Sequence, residues 1–138
     1  MKHRTWIIVA IAWVILDRIL KWYAQSLPDG TVFSFFSGLK FGYFLNPALF
    51  FFPAWRWIPW VAFAVLIALT IYYVFHTTSS RYALVLIMAG GFSNVFDRFA
   101  YGGVIDYISA LHIATVNLAD VLIFSGLALM ILKLQGKR

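Results

Sequence analysis

Four long apolar stretches divide the chain, and three of them carry a group of polar residues toward one end. The first covers about residues 6–24, with Asp17, Arg18 and Lys21 in its second half. At 1.5 Å per residue such a helix reaches about 28 Å, close to the roughly 30 Å of a bilayer's hydrocarbon core. The second, about 57–75, has no charge; the third, about 82–99, is apolar until Asn94, Asp97 and Arg98. The fourth, about 116–134, has Asn117 and Asp120 in its first turns and Lys133 at its far end. This pattern predicts an all-α membrane protein, a single integral membrane domain over residues 1–138 with four transmembrane helices. The long connection, about 25–56, differs from the loop at 100–115. Its aromatic residues (Phe33, Phe35, Phe36, Phe41, Tyr43, Phe44, Phe50, Phe51, Phe52) are punctuated by Gly30, Gly38 and Gly42, which predicts short strands. Aromatic rings are favoured at lipid headgroups, so this stretch is expected to lie on the membrane surface.

Composition supports the same class. Apolar residues make up 63% of the 138 residues, charged residues 12% and aromatics 20%, with mean hydropathy +0.87. Soluble domains have roughly 45–50% and about 25% of the first two, so disorder and a polar-shelled soluble enzyme are excluded. The net charge is +6. The basic residues flank apolar runs, which is the pattern of membrane orientation and not of a nucleic-acid partner. Lys2, Arg4, Arg81, Lys133, Lys137 and Arg138 fall on one side; Lys40 and Arg56 are the loop cations on the other. Both termini and the 76–81 turn are therefore expected in the cytoplasm, and 25–56 and 100–115 outside. A basic start, a short apolar core and Ala24-Gln25-Ser26 loosely suggest a cleaved leader, but three charges lie between core and triad, which argues for a retained helix. With no cysteine, disulfides, zinc–thiolate sites and a cysteine nucleophile are excluded.

All five acids are Asp. Ionisable residues inside a bilayer are costly and mark pairing or function. Asp17 and Lys21 are i,i+4; Asn94, Asp97 and Arg98 are i, i+3, i+4; Asn117 and Asp120 are i, i+3, so each group shares a helix face. In the expected orientation all three groups, with Asp106, lie near the outer surface, which favours a one-sided site over a channel or proton relay. Asp17–Lys21 and Asp97–Arg98 read first as structural ion pairs, and Asn94 and Asn117 as hydrogen-bonding scaffold. His112 with Asp106 and Asp120 is a weak metal signal, and a solvated loop histidine is the simpler reading. Asp106 and Asp120 have no basic neighbour within four residues. Two such carboxylates at one level can share a proton: the ionised one activates water against an amide carbonyl, and the protonated one serves the leaving nitrogen. An ion-paired scaffold is the equal alternative on residues alone.

At these residues the chain resembles the lipoprotein signal peptidase (signal peptidase II) family. Asp17-Arg18-Ile19-Leu20-Lys21 is similar to its D-x-x-x-K motif, and Asn46 with Phe51 to N-x-G-A-A-F. Residues 89–98 are similar to G-G-x-x-[GS]-N-x-x-D-R, 101–107 to Y-G-x-V-x-D-[FY], and 116–120 to F-N-x-A-D. The chain departs from the pattern at Pro47-Ala48-Leu49-Phe50 and at Leu20, where the family usually has Thr or Ser. The resemblance implies a bacterial plasma (inner) membrane aspartic endopeptidase, multi-pass, with both termini cytoplasmic and its site at the outer face. It implies removal of signal peptides from prolipoproteins, before a cysteine already carrying diacylglyceryl. It places catalysis on Asp106 and Asp120, and substrate-binding or supporting roles on Asn46, Asn94, Arg98, Asn117, Asp17 and Lys21. The outer stretch would form a small extracytoplasmic β-cradle. No metal or organic cofactor is expected; the partners would be lipidated precursors and membrane lipid, and the chain a monomer. Two other classes are a non-catalytic membrane scaffold or small transporter subunit, and, fitting less well, a serine protease built on Ser93 and His112.

Overall fold

The computed structural model describes residues 3–36, 38–47, 57–75, 81–110 and 113–135. Eight elements follow in order: helix α1 (His3–Ser26), strands β1 (Val32–Phe36) and β2 (Leu39–Asn46), helices α2 (Ile58–Phe75) and α3 (Arg81–Tyr101), strands β3 (Val104–Ala110) and β4 (Ala114–Val116), and helix α4 (Leu118–Gln135). The strands form one antiparallel sheet in the order β1-β2-β3-β4.

Two of the strands fall in the outer stretch where strands are expected; the other two correct the reading of 100–115 as a loop. The physical reason lies in Val104, Ile105, Tyr107 and Ile108, β-branched and aromatic residues that suit a pleated, buried surface; Val104 to Tyr107 are all buried. The fourth helix begins at Leu118, because Val116 still pairs with Ile108. At the end of α3, Gly102 adopts φ 77. Its N–H donates to the Arg98 carbonyl at 3.2 Å. Glycine takes this left-handed conformation without a Cβ clash, so the chain leaves the helix and enters β3 within two residues.

Helix α3 is central, touching α1, α2, α4 and β3. Ala10, Leu86 and Leu122 join α1, α3 and α4 in a buried core. Around it, all four helices turn large apolar side chains outward, among them Ile8, Ile15 and Trp22 of α1, Trp60 and Val65 of α2, Phe96 and Phe99 of α3, and Phe124 and Leu132 of α4. Among the described residues, Arg81–Tyr101 is the one helix long and apolar enough on its own to cross a membrane; Pro59–Tyr72 is a shorter apolar helix.

Two glycines allow α3 and α4 to approach closely. A Cβ on Gly90 would collide with the Ala119 carbonyl, and one on Gly126 would stand 2.6 Å from the Ala83 carbonyl. Both obstacles are backbone, so neither can rotate away. Close backbone approach through small residues is a principal source of helix adhesion where lipid tails remove the hydrophobic drive. Gly90→Ala is expected to lower stability by about 1–3 kcal/mol, the usual cost of overpacking. Thermal unfolding of the detergent-solubilised protein measures it; an unchanged midpoint would show that the helices separate freely.

Candidate active site

The site lies where the sheet meets the ends of α3 and α4. Pairing of β2 with β3 shifts register between Phe41 and Phe44, and Phe44 then stands opposite Asp106. Such irregularities re-aim side chains next to functional sites. Asp106 is 1% exposed, and both its oxygens are engaged. Oδ1 accepts from Asn117 Nδ2 at 2.8 Å; Oδ2 accepts from Thr115 Oγ1 at 2.7 Å and Asn46 Nδ2 at 3.2 Å.

Asp120 is placed by a helix start. Asn117 Oδ1 accepts from the Asp120 N–H at 2.9 Å, while Asp120 Oδ2 accepts from the Asn117 N–H at 3.2 Å. This is a reciprocal capping box with Asp at its third helical position. The other oxygen, Oδ1, accepts from Asn94 Nδ2 at 2.7 Å. Asn117 therefore touches both carboxylates, one through its side-chain amide and the other through its backbone. It also donates to Asn94 Oδ1 at 3.2 Å and to the Ile105 carbonyl at 3.3 Å. Arg98 Nη1 donates to the Asn94 carbonyl at 3.3 Å.

Beside this set lies a buried ion cluster. Lys21 Nζ is 3.0 Å from Asp17 and 2.7 Å from Asp97, and Arg18 Nη2 is 2.7 Å from Asp97. Asp97, read from sequence as a partner of Arg98, is thus bound by two cations of α1. Adjacent helical residues point about 100° apart, whereas Asp97 faces α1 directly. Lys21 also donates to Asn94 Oδ1 at 3.1 Å, which links the cluster to Asp120. Asp97 Oδ2 accepts the Ile105 N–H at 3.2 Å, fixing the residue before Asp106.

The structure thus gathers Asn46, Asn94, Asp106, Asn117 and Asp120 into one hydrogen-bonded set, with Arg98 on its edge and Asp17 and Lys21 behind it. Thr115 and Tyr107 escaped the sequence reading as site residues, and Ser93 was read there in another role. Thr115 holds Asp106. Ser93, considered there as a nucleophile, is buried and donates to Asp17 Oδ2 at 2.6 Å. Tyr107 donates to Asp17 Oδ1 at 3.0 Å. Burial, with Asp17 beside it, pushes the Tyr107 phenol above its ordinary value, so it stays a protonated donor. A polar residue alternating with apolar ones in a strand was the available signal for Thr115. His112 and Phe51 lie outside the described residues. Among the described residues, no three His, Cys, Asp or Glu side chains group as metal ligands.

Comparison with known proteins agrees on one family. The family model for signal peptidase (SPase) II matches residues 9–135. A lipoprotein signal peptidase of Synechocystis is 37% identical over 131 residues, 87% of this chain and 81% of the relative. One from Syntrophomonas wolfei is 38% identical over 134 residues, 91% and 90% of the two chains. A bacterial membrane enzyme solved by the in meso method at 2.3 Å shares the fold with TM-score 0.84 and 22% identity, covering 99% of this chain and 90% of that one.

Lys21 is 1% exposed and serves two buried carboxylates. Removing one partner of a buried ion pair costs about 3–5 kcal/mol because the other charge stays behind unpaired. Lys21→Met is expected to lose stability on that scale, read by denaturant or thermal unfolding in detergent. A variant as stable as the parent would show that the lysine is not needed to hold the cluster together.

Proposed function

The chain belongs to the signal peptidase II family, and from that premise we propose that Asp106 and Asp120 form the aspartic dyad of a prolipoprotein signal peptidase. The observation that carries this reading is Asn117, which hydrogen-bonds to both carboxylates from one position. The dyad works without a covalent intermediate. The ionised carboxylate takes a proton from water as the water attacks the scissile carbonyl. The protonated one polarises that carbonyl and then donates to the leaving nitrogen. Asn46, Asn94, Asn117 and Thr115 orient the oxygens, and Arg98 borders the site. Membership of this family weighs against a non-catalytic scaffold.

The substrate is a precursor with diacylglyceryl on the cysteine after the cleavage point. The protein is a single domain, 1–138, in the bacterial plasma membrane, a monomer crossing it four times near 6–24, 57–75, 82–99 and 116–134. Outward apolar side chains on all four helices support those spans. The six-to-two excess of Lys and Arg beside the chain ends and the 76–81 turn supports cytoplasmic termini and an outer active site. The β1–β2 hairpin exposes Val32, Phe33, Phe35, Leu39, Tyr43 and Leu45, a surface suited to lie on headgroups as an extracytoplasmic cradle.

Asp106→Asn and Asp120→Asn are each expected to abolish cleavage of a lipidated precursor while the protein still inserts and folds. The double variant should be no worse than either single one, because the pair acts as a unit. Cleavage should continue in EDTA. Near-parental activity in either single variant, or inhibition by the chelator, overturns the dyad.

Acyl chains buried at the membrane surface contribute about 0.8 kcal/mol per CH₂. A precursor lacking diacylglyceryl is therefore expected to be cut at least tenfold more slowly than its lipidated form at equal, subsaturating concentration. Equal rates in a purified assay would remove the lipid from substrate recognition.

A further inference from the structure

The first amides of a helix have no partner within it, and in α4 they are met from several parts of the fold. The Leu118 N–H donates to Tyr107 Oη at 2.8 Å, the Ala119 N–H to Asp17 Oδ1 at 3.3 Å, and the Asp120 N–H to Asn117 Oδ1 at 2.9 Å. The Tyr107 hydroxyl meanwhile donates to the same Asp17 oxygen. The turn that carries Asp120 is thus tied to α1 and β3 before it is tied to itself.

We propose that Tyr107 is a positioning residue for Asp120, its hydroxyl bracing the first turn of α4 against Asp17 so that the capping box presents the carboxylate in one place. This rests on the dyad reading. Tyr107 follows Asp106 in β3, and successive side chains in a strand point to opposite faces. Its ring is 1% exposed and packs 5.8 Å from that of Phe41, which in turn lies 5.8 Å from Tyr23 of α1. The tyrosine therefore acts through the helix start. One strand segment serves both carboxylates: Asp106 directly, Asp120 through its neighbour's hydroxyl.

Tyr107→Phe keeps the ring contacts and deletes only the hydroxyl. The Leu118 N–H then loses its acceptor and Asp17 loses a donor. The expected result is a fall in kcat per folded enzyme of roughly fivefold on a lipidated precursor, with KM within about twofold. Amide hydrogen exchange should accelerate at Leu118–Asp120 and not at the β2–β3 ladder. Unchanged kcat overturns the proposal. So does a rise in KM alone, or a collapsed unfolding midpoint with exchange faster across the whole sheet, which marks a general packing role. Asp120→Asn is assayed in parallel. If it cleaves, the dyad reading fails; if it is inactive while Tyr107→Phe runs at full rate, only the brace fails.

Discussion

The structure depends on the ammonium of Lys21 held between Asp17 and Asp97. With Arg18 the cluster holds two acids and two bases, so its formal charge cancels. Desolvating such ions costs several kcal/mol each, and replacement by apolar residues is often neutral, so net stability is a weak account of the cluster. Registration accounts for it better. A slip of α1 against α3 by one turn, 5.4 Å, would break both contacts to Asp97, from Lys21 and from Arg18. The same carboxylates then reach beyond the helix pair: Asp97 takes the Ile105 N–H and Asp17 the Ala119 N–H. Alignment of α1 with α3 is thereby passed to the strand carrying Asp106 and the helix carrying Asp120.

The donors that hold the two candidate carboxylates, Asn46, Asn94, Asn117 and Thr115, are all neutral. A lysine in direct contact would favour the ionised carboxylate more strongly than a neutral amide donor does. Lys21 stands one residue back, and its link to Asp120 runs through Asn94. The ions set the frame and the amides set the site.

The i,i+4 spacing of Asp17 and Lys21 was readable as an ion pair, and the two groups are 3.0 Å apart. Asn117 and Asp120, three apart, were readable as neighbours on a face; that they form a capping box follows from the helix starting at Leu118, a boundary set by pairing of Val116 with Ile108. Asp97 misled because its partners are on another helix, and intrahelical spacing carries no information about the opposite face. The strands at 104–116 escaped because a short apolar run preceded by two glycines and holding an aspartate suits a loop as well as a buried strand. Tyr107 and Thr115 were invisible as site residues for the same reason: the fold brings Asp17 to Tyr107 across 90 positions.

The donor that reaches Asp106 from β2 stands at the very end of that strand. Pro47 has no N–H to give a ladder, so β2 ends at Asn46. That residue is the last paired one, opposite Val104. The approach there is close: a Cβ on Gly103 would stand 3.0 Å from the Asn46 carbonyl. The strand end is therefore fixed by pairing with β3 and by the neighbouring glycine, before residue 48 is reached. From that fixed end Asn46 donates to Asp106. The geometry of the donor at Asp106 is thus set by the paired end of β2, on the near side of Pro47.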